Sequence, residues 1–359
     1  MNSKKIQSLL AVNNLDGLLV TDKVNRRYLS GFTGSNGLLL ITEKESHLFV
    51  DGRYTEQAQQ QTKDTKICEI PVGSSLEELL AKKFKQQTFG FEAQTINYQT
   101  FKLFQTIAEK NIGKLVPTNF LIEKLRMIKT DEEISKIKKA AQLADETLAE
   151  IIPFIQAGMT EIELANEIDY RSKKKGSDGP AFETIVASGQ RTALPHAHAS
   201  HKKISVNELI MIDFGTINQG YYSDITRTFA FGQVSAEIET IYQKVLAVQK
   251  TAIKEVVTGK AFGELDQEAR NGFAEDRIAD FFSHNLGHGL GLSCHEYPSL
   301  APHETTKIEK NMTFTIEPGI YLPQQFGIRI EDDILVNKEG TAEILTKFPK
   351  EWMMIDETC

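Results

Sequence analysis

Cysteine is scarce in this sequence, and its scarcity argues against two kinds of site. Only three cysteines occur among 359 residues, at positions 68, 294 and 359. A disulfide framework uses an even set of cysteines, and a cysteine zinc site needs them in close pairs. We therefore expect Cys68, Cys294 and Cys359 to be chemically inert.

Long apolar runs and an excess of basic residues are also missing. No stretch approaches the roughly 20 apolar residues of a membrane span, and residues 1–10 lack the apolar core of a signal peptide. Acidic residues outnumber basic ones by 49 to 41, and no basic block stands out beyond residues 173–175. Such a balance disfavours nucleic-acid binding. The sequence thus predicts a cytoplasmic protein with neither membrane nor nucleic-acid partners.

The hydrophobic pattern divides the chain into two parts. In residues 1–121, apolar strands alternate with helical patterns, which predicts a mixed sheet with helices on its faces. One of these strands is predicted at residues 28–32. From residue 122 onward, a long helix capped by Thr130 and Glu133 leads into a region of strands backed by helices. We therefore predict an α/β (α+β) protein with domains at 1–121 and 122–359.

Four carboxylates lie at the ends of apolar strands or beside them. Asp213 ends the run at 209–212, and Asp224 follows eleven residues later across a glycine-containing turn. Glu317 and Glu331 stand in similar surroundings near the end of the chain. Buried carboxylates are costly unless they are paired, hydrogen-bonded or bound to metal. The spacing allows the two aspartates to meet on adjacent antiparallel strands, although either alone could be a structural hydrogen-bonding group.

Residues 283–296 concentrate three histidines among glycines. His284 and His288 have the i, i+4 spacing of a helical metal pair, yet the intervening glycines argue against a helix. His288 and the four carboxylates form a set of oxygen and nitrogen donors without sulfur. Such a set suits two divalent cations, such as manganese, cobalt or zinc, better than a cysteine-rich structural zinc.

A series of short motifs then occurs in a fixed order along the second part of the chain. The motifs are Pro195-His196-Ala197, Asp213-Phe214-Gly215, Asp224-Ile225-Thr226-Arg227-Thr228, Gly287-His288-Gly289-Leu290-Gly291, His295-Glu296, Glu317-Pro318-Gly319 and Arg329-Ile330-Glu331-Asp332. Together they resemble the pita-bread metallopeptidase family, which includes Xaa-Pro aminopeptidase, Xaa-Pro dipeptidase and methionine aminopeptidase. Residues 1–121, with Asp51-Gly52-Arg53-Tyr54, resemble the creatinase-type N-terminal domain, which favours the proline-directed members.

The resemblance implies a role for each metal-binding residue. By motif position, Asp213 would chelate one of two metals, Asp224 and Glu331 would bridge both, and His288 and Glu317 would complete the shell of the second metal. Mn²⁺ is the expected ion, with Co²⁺ or Zn²⁺ as alternatives. None of these separate roles follows from the spacing.

Other residues match catalytic positions of the family. His196 and His295 correspond to active-site histidines that bind no metal, and Arg329 corresponds to an arginine beside the ligands. Glu317 would also relay a proton. His284 is left with a supporting role, and the glycines of residues 287–291 would leave room for substrate beside the metals.

The expected activity is metal-dependent hydrolysis of Xaa-Pro bonds that releases the residue before proline, as in Xaa-Pro aminopeptidase. The alternative is an Xaa-Pro dipeptidase restricted to dipeptides. A non-catalytic pita-bread binding protein, or an amidinohydrolase that works without metals, is disfavoured because all five donors are present. The resemblance also implies a homodimer.

Overall fold

The computed structural model describes residues 3–81, 83–111, 113–274, 276 and 278–356. The chain divides into two units, Met1–Arg126 and Met127–Cys359. Cys359, which we predict to be inert, lies outside the described residues. No helix within the described ranges has both the length and the apolar character needed to cross a bilayer.

The first unit is built on one six-stranded mixed sheet. Its strands are β1 (Gly17–Val20), β2 (Leu38–Thr42), β3 (Ser46–Asp51), β4 (Lys66–Ile70), β5 (Thr88–Glu92) and β6 (Lys114–Thr118), in the order β4-β3-β2-β1-β5-β6. β2 runs antiparallel to both of its neighbours, whereas the other pairings are parallel. The helices are α1 (Ser3–Val12), α2 (Lys23–Ser30), α3 (Thr55–Gln61), α4 (Leu76–Ala81), α5 (Tyr98–Lys110) and α6 (Glu123–Met127). The predicted mixed sheet is confirmed.

The strand predicted at residues 28–32 is wrong, because helix α2 occupies most of that segment. The Asp22 side chain accepts hydrogen bonds from the backbone N–H groups of Val24 and Asn25, at 2.9 and 2.8 Å, which satisfies free donors of the first turn. Gly31 ends the helix with a φ of 83°. These end signals outweigh the apolar and aromatic residues that suggested a strand.

The second unit begins with a helix whose start the sequence predicts. In α7 (Asp131–Ile151), the Glu133 N–H donates to Thr130 Oγ1, and the Thr130 N–H donates to Glu133 Oε2. This capping box satisfies donors at both positions. The other helices of the unit are α8 (Glu161–Lys174), α9 (Ala236–Lys254) and α10 (Phe262–Ala274).

Two larger sheets and two small hairpins make up the strands of the second unit. The strands are β7 (Ile185–Ser188), β8 (Glu208–Phe214), β9 (Ile217–Asn218), β10 (Tyr221–Tyr222), β11 (Ile225–Phe231), β12 (Gly287–Gly289), β13 (Glu296–Leu300), β14 (Thr313–Ile316), β15 (Gly319–Leu322), β16 (Phe326–Arg329), β17 (Asp332–Val336), β18 (Ala342–Ile344) and β19 (Met354–Ile355). The sheet orders are β19-β11-β8-β7 and β13-β12-β14-β17-β18, and the hairpins are β9-β10 and β15-β16. Apolar side chains of α9 and α10 share the larger core cluster with those of β13–β17.

Candidate metal centre

Asp213 and Asp224 lie on adjacent antiparallel strands, as their spacing predicts. Asp213 is near the end of β8, and Asp224 directly precedes β11, where Thr226 pairs with Asp213. The backbone N–H of Asp224 donates to Asp333 Oδ2 at 3.0 Å. The strand pairing therefore brings both carboxylates to the same end of this sheet.

The second sheet and its connections supply the remaining donors. His288 is the central residue of β12, and its Nε2 lies 3.3 Å from Glu317 Oε1 and 3.7 Å from Asp224 Oδ2. Asp224, His288 and Glu331 each offer a donor atom, and these three atoms lie within 4.8 Å of one another. The structure thus gathers donors that are distant in the sequence into one place.

Threonine hydroxyls orient two of the glutamates. Thr226 Oγ1 donates to Glu331 Oε2 at 2.6 Å, and Thr315 Oγ1 donates to Glu317 Oε1 at 3.2 Å. Our sequence reasoning gave these threonines no role. Thr315 lies on β14 and Glu317 directly follows that strand, so the two-residue alternation of side chains could have identified Thr315.

Because these acidic side chains are buried close together, ionising them without a bound cation is energetically costly. The pKa of Asp224 is raised well above its ordinary range by burial, and further by Asp213. Burial likewise raises the pKa of Glu331, with Asp224 adding to the rise. For Glu317, burial outweighs the attraction of Arg329 and raises the pKa to about 8. Cations in the cluster would offset this repulsion.

Two further features fit the donor set to metal ions. Oδ1 of Asp213 and Oδ1 of Asp224 are buried, and neither has a hydrogen-bond partner among the described residues. Burial, followed by the effect of His295, lowers the pKa of His288 to about 3, so its imidazole is neutral. Unpaired carboxylate oxygens and a neutral imidazole are ligands that divalent transition metals accept. The residues present therefore fit a metal site.

The two other predicted histidines lie close to this cluster. The His295 ring packs against the His288 ring, with centroids 4.0 Å apart and an interplanar angle of 34°. Burial lowers the pKa of His295, and the nearby His196 acts in the same direction. His196 is exposed, on the segment that follows a 3₁₀ helix at Gly189–Ala193.

Arg329 connects Asp213 to a chain of hydrogen bonds that ends at His284. Arg329 Nη2 pairs with Asp213 Oδ2, and Nη1 donates to Tyr321 Oη at 2.7 Å. Tyr321 Oη lies 2.9 Å from His284 Nε2, and His284 Nδ1 lies 2.8 Å from the Asn285 carbonyl oxygen. A proton on Nδ1 satisfies both contacts, because Nε2 then accepts from the tyrosine. His284 thus supports Arg329 through Tyr321, which no sequence motif indicated.

Cys294 is in contact with the cluster, which sequence reasoning missed. Its thiol donates to Asp224 Oδ2 at 3.1 Å, and burial raises its pKa well above the ordinary value, which keeps it protonated. Residues 290–295 are loops and bends rather than a continuous strand. Side chains in this loop do not alternate as they do along a strand, so Cys294 and His295 both face the cluster.

Gly289 has a structural reason in addition to the role expected from the sequence. A Cβ at this position would lie 2.6 Å from the Glu296 carbonyl oxygen and 2.8 Å from that of Tyr297. Gly289 pairs with Glu296 beside an irregularity in the β12–β13 register. The close approach of β13 is by itself a sufficient reason for a glycine at this position.

Both units of the chain match families of known proteins. Residues 135–338 match the model for metallopeptidase family M24, and residues 3–128 match the creatinase/prolidase N-terminal domain. An Xaa-Pro dipeptidase from Pyrococcus horikoshii is 36% identical, over 97% of each chain.

Two similar solved structures carry different activities in their names. An Xaa-Pro dipeptidase from Bacillus anthracis has a TM-score of 0.93 and 39% identity, over 98% of this chain and 99% of that one. An X-Pro aminopeptidase from Thermotoga maritima has a TM-score of 0.86 and 36% identity, over 95% and 98% of the two chains. The predicted fold class, an N-terminal sheet domain with a pita-bread catalytic domain, is confirmed. The chain belongs to metallopeptidase family M24, carries a creatinase/prolidase-type N-terminal domain, and is a metal-dependent hydrolase.

Proposed function

We propose that this metallopeptidase hydrolyses Xaa-Pro bonds and that dipeptides are its preferred substrates. The observation that carries the proposal is the similarity to Xaa-Pro dipeptidases along nearly the whole chain, N-terminal domain included. Release of the first residue from longer Xaa-Pro peptides is the second candidate, which the similarity to the T. maritima X-Pro aminopeptidase favours.

The metal ligands in this proposal are the five donors predicted from the sequence: Asp213, Asp224, His288, Glu317 and Glu331. Two Mn²⁺ ions are our first choice, with Co²⁺ or Zn²⁺ as alternatives, because the set has oxygen and nitrogen donors. Bound there, divalent cations polarise a scissile carbonyl and acidify water.

Side chains around the ligands would handle the remaining charges and protons. His295 is held against His288, and in its neutral form one ring N–H is available to donate to the carbonyl oxygen as negative charge develops there. Glu317 would pass a proton toward the leaving proline nitrogen. Arg329 keeps Asp213 in place, and His196 would contact the substrate from its exposed position.

Proline explains why such a substrate needs its own enzyme. The nitrogen of an Xaa-Pro bond has no hydrogen, and the ring fixes φ near −65°. Peptidases that bind this N–H, or that need a different backbone conformation, therefore cannot cleave an Xaa-Pro bond. We further propose that the protein is a homodimer, on the strength of the resemblance to the family, and that it is cytoplasmic, as predicted from the sequence.

Metal removal and a small substrate panel test the proposed function. Protein stripped by a chelator is expected to lose hydrolysis of an Xaa-Pro dipeptide and to regain it with Mn²⁺ or Co²⁺. The panel compares this dipeptide with an Xaa-Pro tripeptide and an Xaa-Ala dipeptide. Turnover that persists after measured removal of all metal contradicts the metal site. Equal cleavage of the Xaa-Ala dipeptide contradicts the proline specificity, and faster cleavage of the tripeptide selects the second candidate.

A further inference from the structure

Glu161 is a fully buried carboxylate outside the metal centre. It is the first residue of α8, and none of its side chain is exposed. Oε1 accepts hydrogen bonds from the backbone N–H and the hydroxyl of Ser188, at 2.8 and 2.9 Å. Oε2 accepts from Arg191 Nε at 2.9 Å and from the N–H and hydroxyl of Ser200, at 3.1 and 2.6 Å. All of these donors lie at or between the two ends of residues 188–200, the segment that carries His196.

The same segment is fixed at points on either side of His196. Arg191 Nη2 donates to the His198 carbonyl oxygen at 2.5 Å, so Glu161 reaches the residues after His196 through Arg191. Arg329 Nη1 donates to the Pro195 carbonyl oxygen at 3.2 Å. The backbone flanking His196 is therefore held from two directions, whereas its imidazole is exposed.

The hydrogen bonds to Glu161 favour one arrangement of residues 188–200. A buried carboxylate is strongly destabilising unless hydrogen-bond donors surround it. Hydrogen bonds to an ionised acceptor are also stronger than neutral ones. Displacing the segment would strip Glu161 of the donors from Ser188, Arg191 and Ser200 together. The cost of the buried charge thus opposes movement of the backbone around His196.

We propose that Glu161 is a positioning residue that sets the location of His196 through Ser188, Arg191 and Ser200. The proposal rests on the proposed function in one respect, namely that His196 contacts the substrate. Glu161 touches no reacting atom, and its effect passes through the backbone of residues 188–200. Glu163, two residues further along α8, forms a capping box with Thr160 instead.

Glu163 provides a matched control on the same helix turn. Its carboxylate accepts from the N–H and hydroxyl of Thr160 at exposed positions. Glu161→Gln leaves an amide N–H₂ facing donors, whereas Glu163→Gln keeps an oxygen acceptor for Thr160. We expect Glu161→Gln to lower kcat/KM for an Xaa-Pro dipeptide by about tenfold or more, since small misplacements of active-site groups have large effects. Glu163→Gln is expected to stay within about twofold, and metal content is expected to be unchanged in both.

A double-mutant cycle separates positioning from a general loss of structure. If Glu161 acts through His196, then Glu161→Gln has little further effect on kcat/KM in a His196→Ala background. Losses that multiply in the double variant overturn the proposal. So does wild-type activity in Glu161→Gln.

Hydrogen exchange supplies a measurement that needs no activity. Amides of residues 188–200 are expected to exchange faster in Glu161→Gln than in Glu163→Gln, while those of β8 and β11 stay the same. Unchanged exchange in that segment contradicts the positioning role even if the wild-type protein cleaves no Xaa-Pro peptide. In that event the proposed function fails independently, and the exchange result alone decides the role of Glu161.

Discussion

At the scale of single residues, Cys294 has a contact that can be removed without changing the ligands. Its thiol donates to Asp224 Oδ2, while Asp224 Oδ1 has no partner among the described residues. Mutating a group that orients a metal ligand typically lowers the metal affinity by about 10- to 100-fold. Cys294→Val keeps the volume and removes the donor, so we expect metal binding to weaken by about tenfold.

Cys294→Ser is the control for that variant, because a hydroxyl retains the donor. Affinities measured by competition with a metal-chelating dye are expected to place Cys294→Ser nearer the wild-type protein than Cys294→Val. Equal affinities for the valine variant and the wild type would show that the contact does not orient Asp224.

The sequence predicts the donor residues of the centre better than the contacts that orient them. Asp213 and Asp224 are identifiable because carboxylates beside apolar strands need a reason to be there. The roles of Cys294 and Glu161 cannot be identified in this way. Each contacts residues that are distant in the sequence, and only the three-dimensional fold brings them together. Cys294 contacts a residue 70 positions away.

At the scale of elements, the closeness of β12 and β13 depends on Gly289. A Cβ there would collide with backbone carbonyl oxygens of β13, which cannot rotate away as a side chain would. We expect Gly289→Ala to lower the free energy of unfolding by about 3 kcal/mol, at the upper end for overpacking. Denaturant unfolding would measure the loss.

Gly179→Ala is the matched control, because a Cβ at that position meets no atom within 4 Å. Its stability is expected to stay within about 0.5 kcal/mol of the wild type. If both alanine variants unfold at the same denaturant concentration as the wild type, the strands can separate without cost and our account of Gly289 is wrong.

Helix ends are the features that the sequence predicts most directly, provided that the capping residues are recognised. The capping box of Thr130 and Glu133 uses residues only three positions apart, so its geometry is local and its prediction is confirmed. The strand predicted at residues 28–32 failed because apolar content was weighed without the cap at Asp22 and the glycine at position 31. Short apolar segments cannot be assigned from hydrophobicity alone.

At the scale of the whole molecule, the buried acids couple stability to pH and to metal. The folded-state pKa of Glu317 is raised to about 8, and those of Asp224 and Glu331 are also raised. At these three carboxylates the folded metal-free protein therefore binds more protons than the unfolded chain between about pH 4 and pH 8, whereas at His288, whose pKa is lowered to about 3, it binds fewer below about pH 6.5. The three carboxylates contribute most to the free energy of unfolding at low pH, and their contribution falls as pH rises through that window.

We expect Tm of the metal-free protein to fall between about pH 6.5 and pH 8, where histidines are mostly neutral in the folded and the unfolded state and only the carboxylates titrate. In our proposal Mn²⁺ would replace protons at the same oxygens, so we expect it to raise Tm more at pH 8 than at pH 5. At 100 times the dissociation constant, a bound ligand contributes about 2.7 kcal/mol. Calorimetry at both pH values, with and without Mn²⁺, measures the difference, and an equal rise at both would contradict the coupling.

The hydrogen bond between Thr226 and Glu331 has a consequence for how the catalytic unit folds. The two residues are 105 positions apart in the sequence, yet their contact helps to orient Glu331 beside Asp224. Contacts between such distant positions form slowly, because a long loop must close before they stabilise anything. We therefore expect this cluster to assemble late in folding, in which case a bound ion would slow unfolding more than it speeds folding.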